Sequence, residues 1–116
     1  MSRRVLIVDD HAGFRASARR MLEAGGFEVV GEADDGAAAV EAAQRLDPDL
    51  VLLDVQLPDS SGIDLAGLLS ANGGPAVILT SSRPADQLGP DLTTSGALGF
   101  VPKDGLSAAA ITELVP

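Results

Sequence analysis

Asp9 and Asp10 close one apolar run, RVLIV, and Asp54 closes another, LVLL. Runs of this length without polar alternation suit strands buried on both faces of a parallel sheet. Open α/β sheets bind ligands beyond the carboxyl ends of their strands, where the strand order reverses. Two such strands side by side bring three carboxylates to one edge, and that much negative charge demands a cation. Mg²⁺ suits the set, because it takes oxygen ligands octahedrally, keeps several waters, and is usually held by one or two carboxylates plus phosphate oxygens. Asp10 and Asp54 are expected as direct ligands, with Asp9 acting directly or through water. The backbone carbonyl of Gln56 is a further candidate oxygen. The cation would also offset the repulsion that otherwise raises the pKa of at least one acid.

Two more apolar runs end on groups of complementary character. VILT ends at Thr80, followed by Ser81, and LGFVP leads into Lys103. A hydroxyl and an ammonium beside a metal-bound acid are suited to the oxygens of an incoming phosphoryl group. Phosphoryl transfer spreads charge over equatorial oxygens, so its catalysis is mostly positioning and electrostatics. Asp54 is then the carboxylate nucleophile.

The elements that must position these residues alternate along the chain. Strands are expected at 4–9, 27–33, 50–54, 76–80 and 98–102. Phe14, Ala18, Met21, Leu22 and Ala24 recur at helical spacing until Gly25-Gly26 stops them. Asp34-Asp35-Gly36 reads as a turn that also caps a second helix, whose inner stripe is Ala39, Val40, Ala43 and Leu46. A third helix carries Ile63, Leu65, Ala66, Leu68 and Leu69, and Asn72-Gly73-Gly74-Pro75 ends it. A last helix is expected over 107–115, with Ser107 as its N-cap and Leu106 stapled to Ile111. Strict alternation at this period means α/β, a doubly wound parallel sheet with helices on both faces.

The 116 residues suffice for one domain with a single buried core. A net charge of −9 argues against direct nucleic-acid binding and against docking on an anionic membrane, both of which need a basic face. Without cysteine there is neither a disulfide nor a thiolate metal site, and a cytoplasmic setting is expected. Asp9-Asp10 cuts the first apolar run too short for a signal peptide.

With these residues in place, the chain resembles the response-regulator receiver domains of bacterial two-component signalling, along essentially its whole length, 1–116. The resemblance rests on VLIVDDH, DLVLLDVQLPDSSGIDL, VILTSS and GALGFVPKD. It implies a CheY-like (βα)5 fold with strand order 2-1-3-4-5. It implies Asp54 as phosphoacceptor, Asp9 and Asp10 as the metal pair, and Mg²⁺ as cofactor. Thr80 matches the hydroxyl that engages the phosphoryl group, Lys103 the lysine that pairs with it, and Phe100 the aromatic switch position. Pro58 and Gly62 match the turn after the acceptor. The implied partner is a sensor histidine kinase or phosphotransfer protein, with a homodimer forming on phosphorylation. The implied output surface is the segment between the fourth and fifth strands together with those strands. Receivers catalyse only their own phosphorylation and dephosphorylation, so no separate enzyme activity is expected. The DDH and FVPKD spellings lean toward receivers joined to helix-turn-helix output domains.

Some positions depart from that pattern. Many receivers have proline directly after the strand-five lysine, often with a cis bond; here Asp104 follows Lys103 and Pro102 precedes it. Gln56 and Ser82, two residues beyond the acceptor and the hydroxyl, tune phosphoryl lifetime in the family, and neither is an acid. Aspartyl-phosphate hydrolases, the alternative reading, typically place a second acid where this chain has Gln56. A flavodoxin-like cofactor binder would need a phosphate loop where Asp9-Asp10 stand. A phosphorylation-independent interaction module would be expected to have lost one of the five site residues, and all five are present.

Other residues have plainer readings. His11, the only histidine, reads as a solvent-facing first-turn residue, with proximity to the metal as the competing view. Ser81 reads as a small filler, Asp34, Asp35, Asp47 and Asp59 as solvated turn residues, and Arg3 and Arg4 as solubilising charges. Between Ser82 and Gly96, Pro90 would remove a helical hydrogen bond and clash with the carbonyl of Asp86, at about 3 kcal/mol. Gly89 adds roughly 1 kcal/mol relative to Ala. A short, broken or mobile helix is therefore expected there, held by Leu88 and Leu92 alone.

Overall fold

The computed structural model describes residues 3–83 and 95–115. Its elements run β1 (Arg4–Val8), α1 (Ala12–Ala24), β2 (Glu28–Ala33), α2 (Gly36–Leu46), β3 (Leu50–Asp54), α3 (Gly62–Ser70), β4 (Ala76–Ser81), β5 (Gly99–Pro102) and α4 (Ala108–Leu114). The five strands form one parallel sheet in the order β2-β1-β3-β4-β5. This is the expected doubly wound topology, with the reversal of strand order at β1 and β3. The anticipated weak helix and its anchors Leu88 and Leu92 fall in 84–94, outside the described residues.

Alternation of side chains across the sheet builds two cores. Leu6, Val8, Val51, Leu53, Val77 and Leu79 face α2 and α3, where Ala39, Ala42, Leu65, Ala66 and Leu69 meet them. Val5, Ile7, Leu50, Leu52, Ile78 and Val101 face α1 and α4, against Ala18, Leu22 and Ile111. Each fully buried Leu, Ile or Val contributes about 1.5–3 kcal/mol. Truncating one in the centre, as in Leu52→Ala, would cost about 2–5 kcal/mol. The alanines matter as much as the large residues, since they let α2 lie close to the strands.

The helix ends follow the expected chemistry. Asp35 Oδ1 accepts the Ala38 amide at 2.7 Å, and Ser107 Oγ accepts that of Ala110 at 3.0 Å. Leu106 and Ile111 pack in the same core. Gly26, at φ 93°, turns the chain out of α1, and Asn72 and Gly73 do so after α3, at 55° and 78°.

Several boundaries move. β2 begins at Glu28 because the Phe27 amide is spent on the Leu22 carbonyl at the end of α1. β1 ends at Val8, although the Asp9 amide still reaches the Ala33 carbonyl of β2 at 3.0 Å. β4 runs on to Ser81, β5 starts at Gly99, and α4 stops at Leu114. Arg4 is more than a solubilising charge. Its amide donates to Asp49 and its guanidinium to the Asp47 carbonyl, so it ties β1 to the turn between α2 and β3.

Candidate functional site

The strand register alone lines up the acids. Asp54 is paired with Thr80 across β3 and β4, and Val8 is paired with Leu53, so the next residue, Asp9, comes level with Asp54. By the same alternation all three lie on the α1/α4 side of the sheet. Asp9 and Thr80 are fully buried and Asp54 nearly so, whereas Asp10 is exposed. Carboxylate oxygens of Asp9, Asp10 and Asp54 and a ring nitrogen of His11 all lie within 4.8 Å of one another.

Lys103 enters from the turn after β5. Its Nζ lies 2.7 Å from Asp9 Oδ2 and 3.6 Å from Asp54 Oδ2, with the side chain 17% exposed. The ammonium also sits 4.3 Å from the centroid of the Phe14 ring, a cation–π contact that fixes it from the α1 side. No cis peptide bond occurs among the described residues, so Lys103 is followed by a trans bond to Asp104.

Asp54 Oδ1 accepts the amide of Gln56 at 3.2 Å. Burial pushes the Asp54 carboxyl above the usual carboxylate range, and the Asp9 charge adds to the shift; the Gln56 amide and Lys103 offset only part of it. The expectation that crowding would raise at least one acid is therefore met at Asp54, with burial as the larger cause. The Thr80 hydroxyl is buried without a hydrogen-bond partner among the described residues. An orphaned buried hydroxyl is costly and needs an explanation. Beside an acid cluster, an incoming anion with oxygens to be bonded supplies one. Ser81 does more than fill space, since its Oγ accepts the Arg83 amide at 3.0 Å.

His11 faces solvent as expected and also touches both acids. Its side chain is 68% exposed, yet Nδ1 lies 2.9 Å from Asp9 Oδ1 and 3.1 Å from Asp10 Oδ1. Its backbone amide also donates to Asp9 Oδ1 at 2.8 Å. Arg15 donates to the Asp9 carbonyl at 2.6 Å and, with Arg19, pairs with Glu32 on β2. Burial alone would raise the Glu32 carboxyl, but Arg19 and Arg15 together hold it below the usual range. Phe14 was read only as a helix-stripe residue and Arg15 was not singled out; their place in the first turn of α1, four and five residues beyond Asp10, was the available signal.

The loop 55–61 after Asp54 folds back tightly. The Gly62 amide donates to the Val55 carbonyl at 2.7 Å, and a side chain at 62 would run into the Asp54 carbonyl and the Val55 backbone. Gln56, Leu57 and Pro58 from this loop, with Asp10, His11, Asp54, Ser82 and Lys103, line one open pocket. Phe100, half-buried, packs against the α2/α3 core from β5, level with Leu79. Asp59 is not merely a solvated turn residue, because its carboxylate bonds the first turn of α2.

Residues 5–115 match the response regulator receiver domain family. The transcriptional regulatory protein PdtaR of Mycobacterium tuberculosis is 40% identical over 115 residues, covering 98% of this chain and 54% of that protein. The nitrate/nitrite response regulator NarP of Escherichia coli is 43% identical over 103 residues, covering 86% and 47%. The chain thus spans about half the length of these relatives. Among solved structures, the signal receiver domain of the response regulator NarL from Mycobacterium tuberculosis superposes with a TM-score of 0.87 at 35% identity, covering 97% of this chain and 94% of that one. Sequence, topology and the acids gathered at the sheet edge agree, and the chain belongs to the response-regulator receiver domains.

Proposed function

We propose that 1–116 is a single receiver domain acting as a phosphorylation-activated switch, with Asp54 accepting a phosphoryl group from the phosphohistidine of a sensor kinase or phosphotransfer protein. An Asp54 carboxylate oxygen bonds to phosphorus as the phosphorus–nitrogen bond breaks. The electron pair stays on the donor imidazole, which takes a proton from solvent. The observation that carries this reading is the buried Thr80 hydroxyl, which has no hydrogen-bond partner among the described residues and lies level with Asp54, itself 3.6 Å from the Lys103 ammonium. Both groups are suited to binding the oxygens of a phosphoryl group on Asp54.

The donor set also fits Mg²⁺. Asp9, Asp10 and Asp54 supply hard oxygens, the Gln56 carbonyl is available in the adjoining loop, and the open pocket leaves room for waters. When bound, the ion would neutralise the acids and draw charge from phosphoryl oxygens. His11 stands at the rim of this set, with its Nδ1 within reach of both acids of the pair.

In this reading Thr80 turns to the phosphoryl group, Phe100 follows into the space vacated, and the β4–β5 face relays the change to an output domain, a partner or a second copy of the chain. Its setting is the cytoplasm, where histidine donors are charged from ATP. The acidic balance leaves contact with nucleic acid to any attached domain. An aspartyl-phosphate hydrolase is disfavoured by Gln56, whose amide side chain offers no proton-transfer group two residues after the acceptor.

Incubation with Mg²⁺ and acetyl phosphate, followed by intact-mass measurement, tests the proposal. The parent should gain one phosphoryl group and Asp54→Asn none. A phosphoryl group found on another residue of Asp54→Asn would overturn the assignment.

A further inference from the structure

Asp59 lies five residues beyond the acceptor, in the loop that shapes the pocket, and its carboxylate spans two backbone amides of another element. Oδ1 accepts the Gly36 amide at 2.7 Å and Oδ2 the Ala37 amide at 3.1 Å. These are orphan donors in the first turn of α2, at the end where the helix dipole favours an anion. The Ser60 hydroxyl adds a bond to Oδ1 at 3.2 Å. The approach is close by construction: a Cβ at Gly36 would collide with Ser60 Oγ and come within 3.1 Å of Asp59 Oδ1. The Gly36 amide first, then that of Ala37, holds the Asp59 carboxyl below the usual carboxylate range.

The loop's other backbone ties hold its ends: the Val55 amide donates to the Thr80 carbonyl at 3.0 Å, the Gly62 amide to the Val55 carbonyl at 2.7 Å, and the Leu65 amide to the Ser61 carbonyl at 3.0 Å. Between them Leu57 bonds Ser60 at 3.3 Å and Gln56 bridges Ser61, and Asp59 supplies the tie to α2. Gln56 is also the residue whose amide holds Asp54 Oδ1. Asp35 already caps α2 through Ala38, so the helix does not depend on Asp59 for a cap.

We propose that Asp59 is a positioning residue for the acceptor site, bracing loop 55–61 against α2 so that the Gln56 backbone is held in place for Asp54 and for the cation. The cation half of this rests on the function proposed above. Because the brace is a direct contact, it also couples the site to the start of α2.

The comparison of Asp59→Ala with Asp35→Ala tests it, since both remove a cap of α2 and only the first releases the loop. In the metal-free protein, Asp59→Ala should shift the Gln56 amide resonance and Asp35→Ala should leave it in place. With Mg²⁺ alone as titrant, Asp59→Ala should bind about tenfold more weakly, as typical for loss of a group that orients a ligand. Asp59→Asn, which keeps one acceptor oxygen, should fall between. The Gly36 and Ala37 amides should respond to Mg²⁺ in the parent and lose that response in Asp59→Ala. If Asp59→Ala and Asp35→Ala weaken Mg²⁺ equally, or if Asp59→Ala leaves Gln56 unshifted, Asp59 is only a helix cap and the proposal fails. A parent that binds no Mg²⁺ would refute the proposed function instead, and the brace is then decided by the Gln56 shift alone.

Discussion

Lys103 lies closer to Asp9 than to Asp54, at 2.7 Å against 3.6 Å. The lysine is thus spent mainly on Asp9, which has no contact with solvent. Asp54 is left with one backbone amide and a distant ammonium, and burial raises its carboxyl. The metal-free site thus keeps its counter-charge beside Asp54 without pairing it closely with that carboxylate.

Lys103→Ala should therefore destabilise the metal-free protein, because Asp9 loses its counter-ion at full burial. Breaking a buried pair costs about 3–5 kcal/mol; solvent access around Lys103 argues for the low end or below. Saturating Mg²⁺ should recover most of the loss, and thermal melts with and without the ion measure it. The same variant should still accept a phosphoryl group, but show a smaller phosphorylation-induced change in its NMR spectrum than the parent. Equal melting of parent and variant in chelator would contradict the pairing.

Asp54→Asn should stabilise the metal-free protein at neutral pH. A carboxyl raised in the fold favours the protonated form, so its contribution is full below the ordinary carboxyl pKa and is lost as pH rises through the raised value. At neutral pH the parent bears that loss and the amide variant does not. The stability gap should shrink as pH is lowered into the carboxylate range, as read from denaturant midpoints across pH. A gap that widens toward acid would reverse the sign of the shift.

Asp10 and Asp9 should separate metal binding from folding. Asp10 is exposed, so Asp10→Ala should change stability by no more than about 0.5 kcal/mol while weakening Mg²⁺ binding. Asp9→Ala should also weaken the ion, but it removes the partner of Lys103 and of the His11 amide, so relief of crowding is offset by lost bonds. Calorimetric titration with Mg²⁺ checks both. Parent-like affinity in both variants would place the ion elsewhere.

Strand ends were readable in the chain because each buried run stops on a polar residue, and the parallel register then aligns Asp9, Asp54 and Thr80 without further information. Ser107 and Asp35 were equally readable, since capping is a local interaction. Contacts made across the fold were not. Asp59 reaches an amide 23 residues away, and Lys103 settles over a ring on α1, a pairing that local spacing does not encode. His11 is solvent-facing as the sequence reads, but the sequence does not reveal that its Nδ1 also turns back toward Asp9 and Asp10.

Gly62 sets the tightest constraint on the acceptor loop. A methyl group there would meet the Asp54 carbonyl and come within 2.7 Å of the Val55 Cα, both backbone atoms that cannot step aside as a flexible side chain could. The Gly62 amide is also bonded to the Val55 carbonyl, so the helix start cannot swing away without losing that bond. Gly62→Ala should therefore cost at least the 1–3 kcal/mol typical of overpacking, or about that much in displaced loop geometry. Gly67→Ala is the matched control on the same helix: its nearest neighbour is a single carbonyl, that of Ser95, at 3.2 Å, which a few tenths of an ångström would relieve. Denaturant unfolding of the two variants should show a clearly larger loss for position 62. Phosphorylation by acetyl phosphate should slow in the Gly62 variant and hold near the parent rate in the Gly67 variant. Equal losses at both positions would mean that the close approach behind Asp54 relaxes freely and does not shape the site.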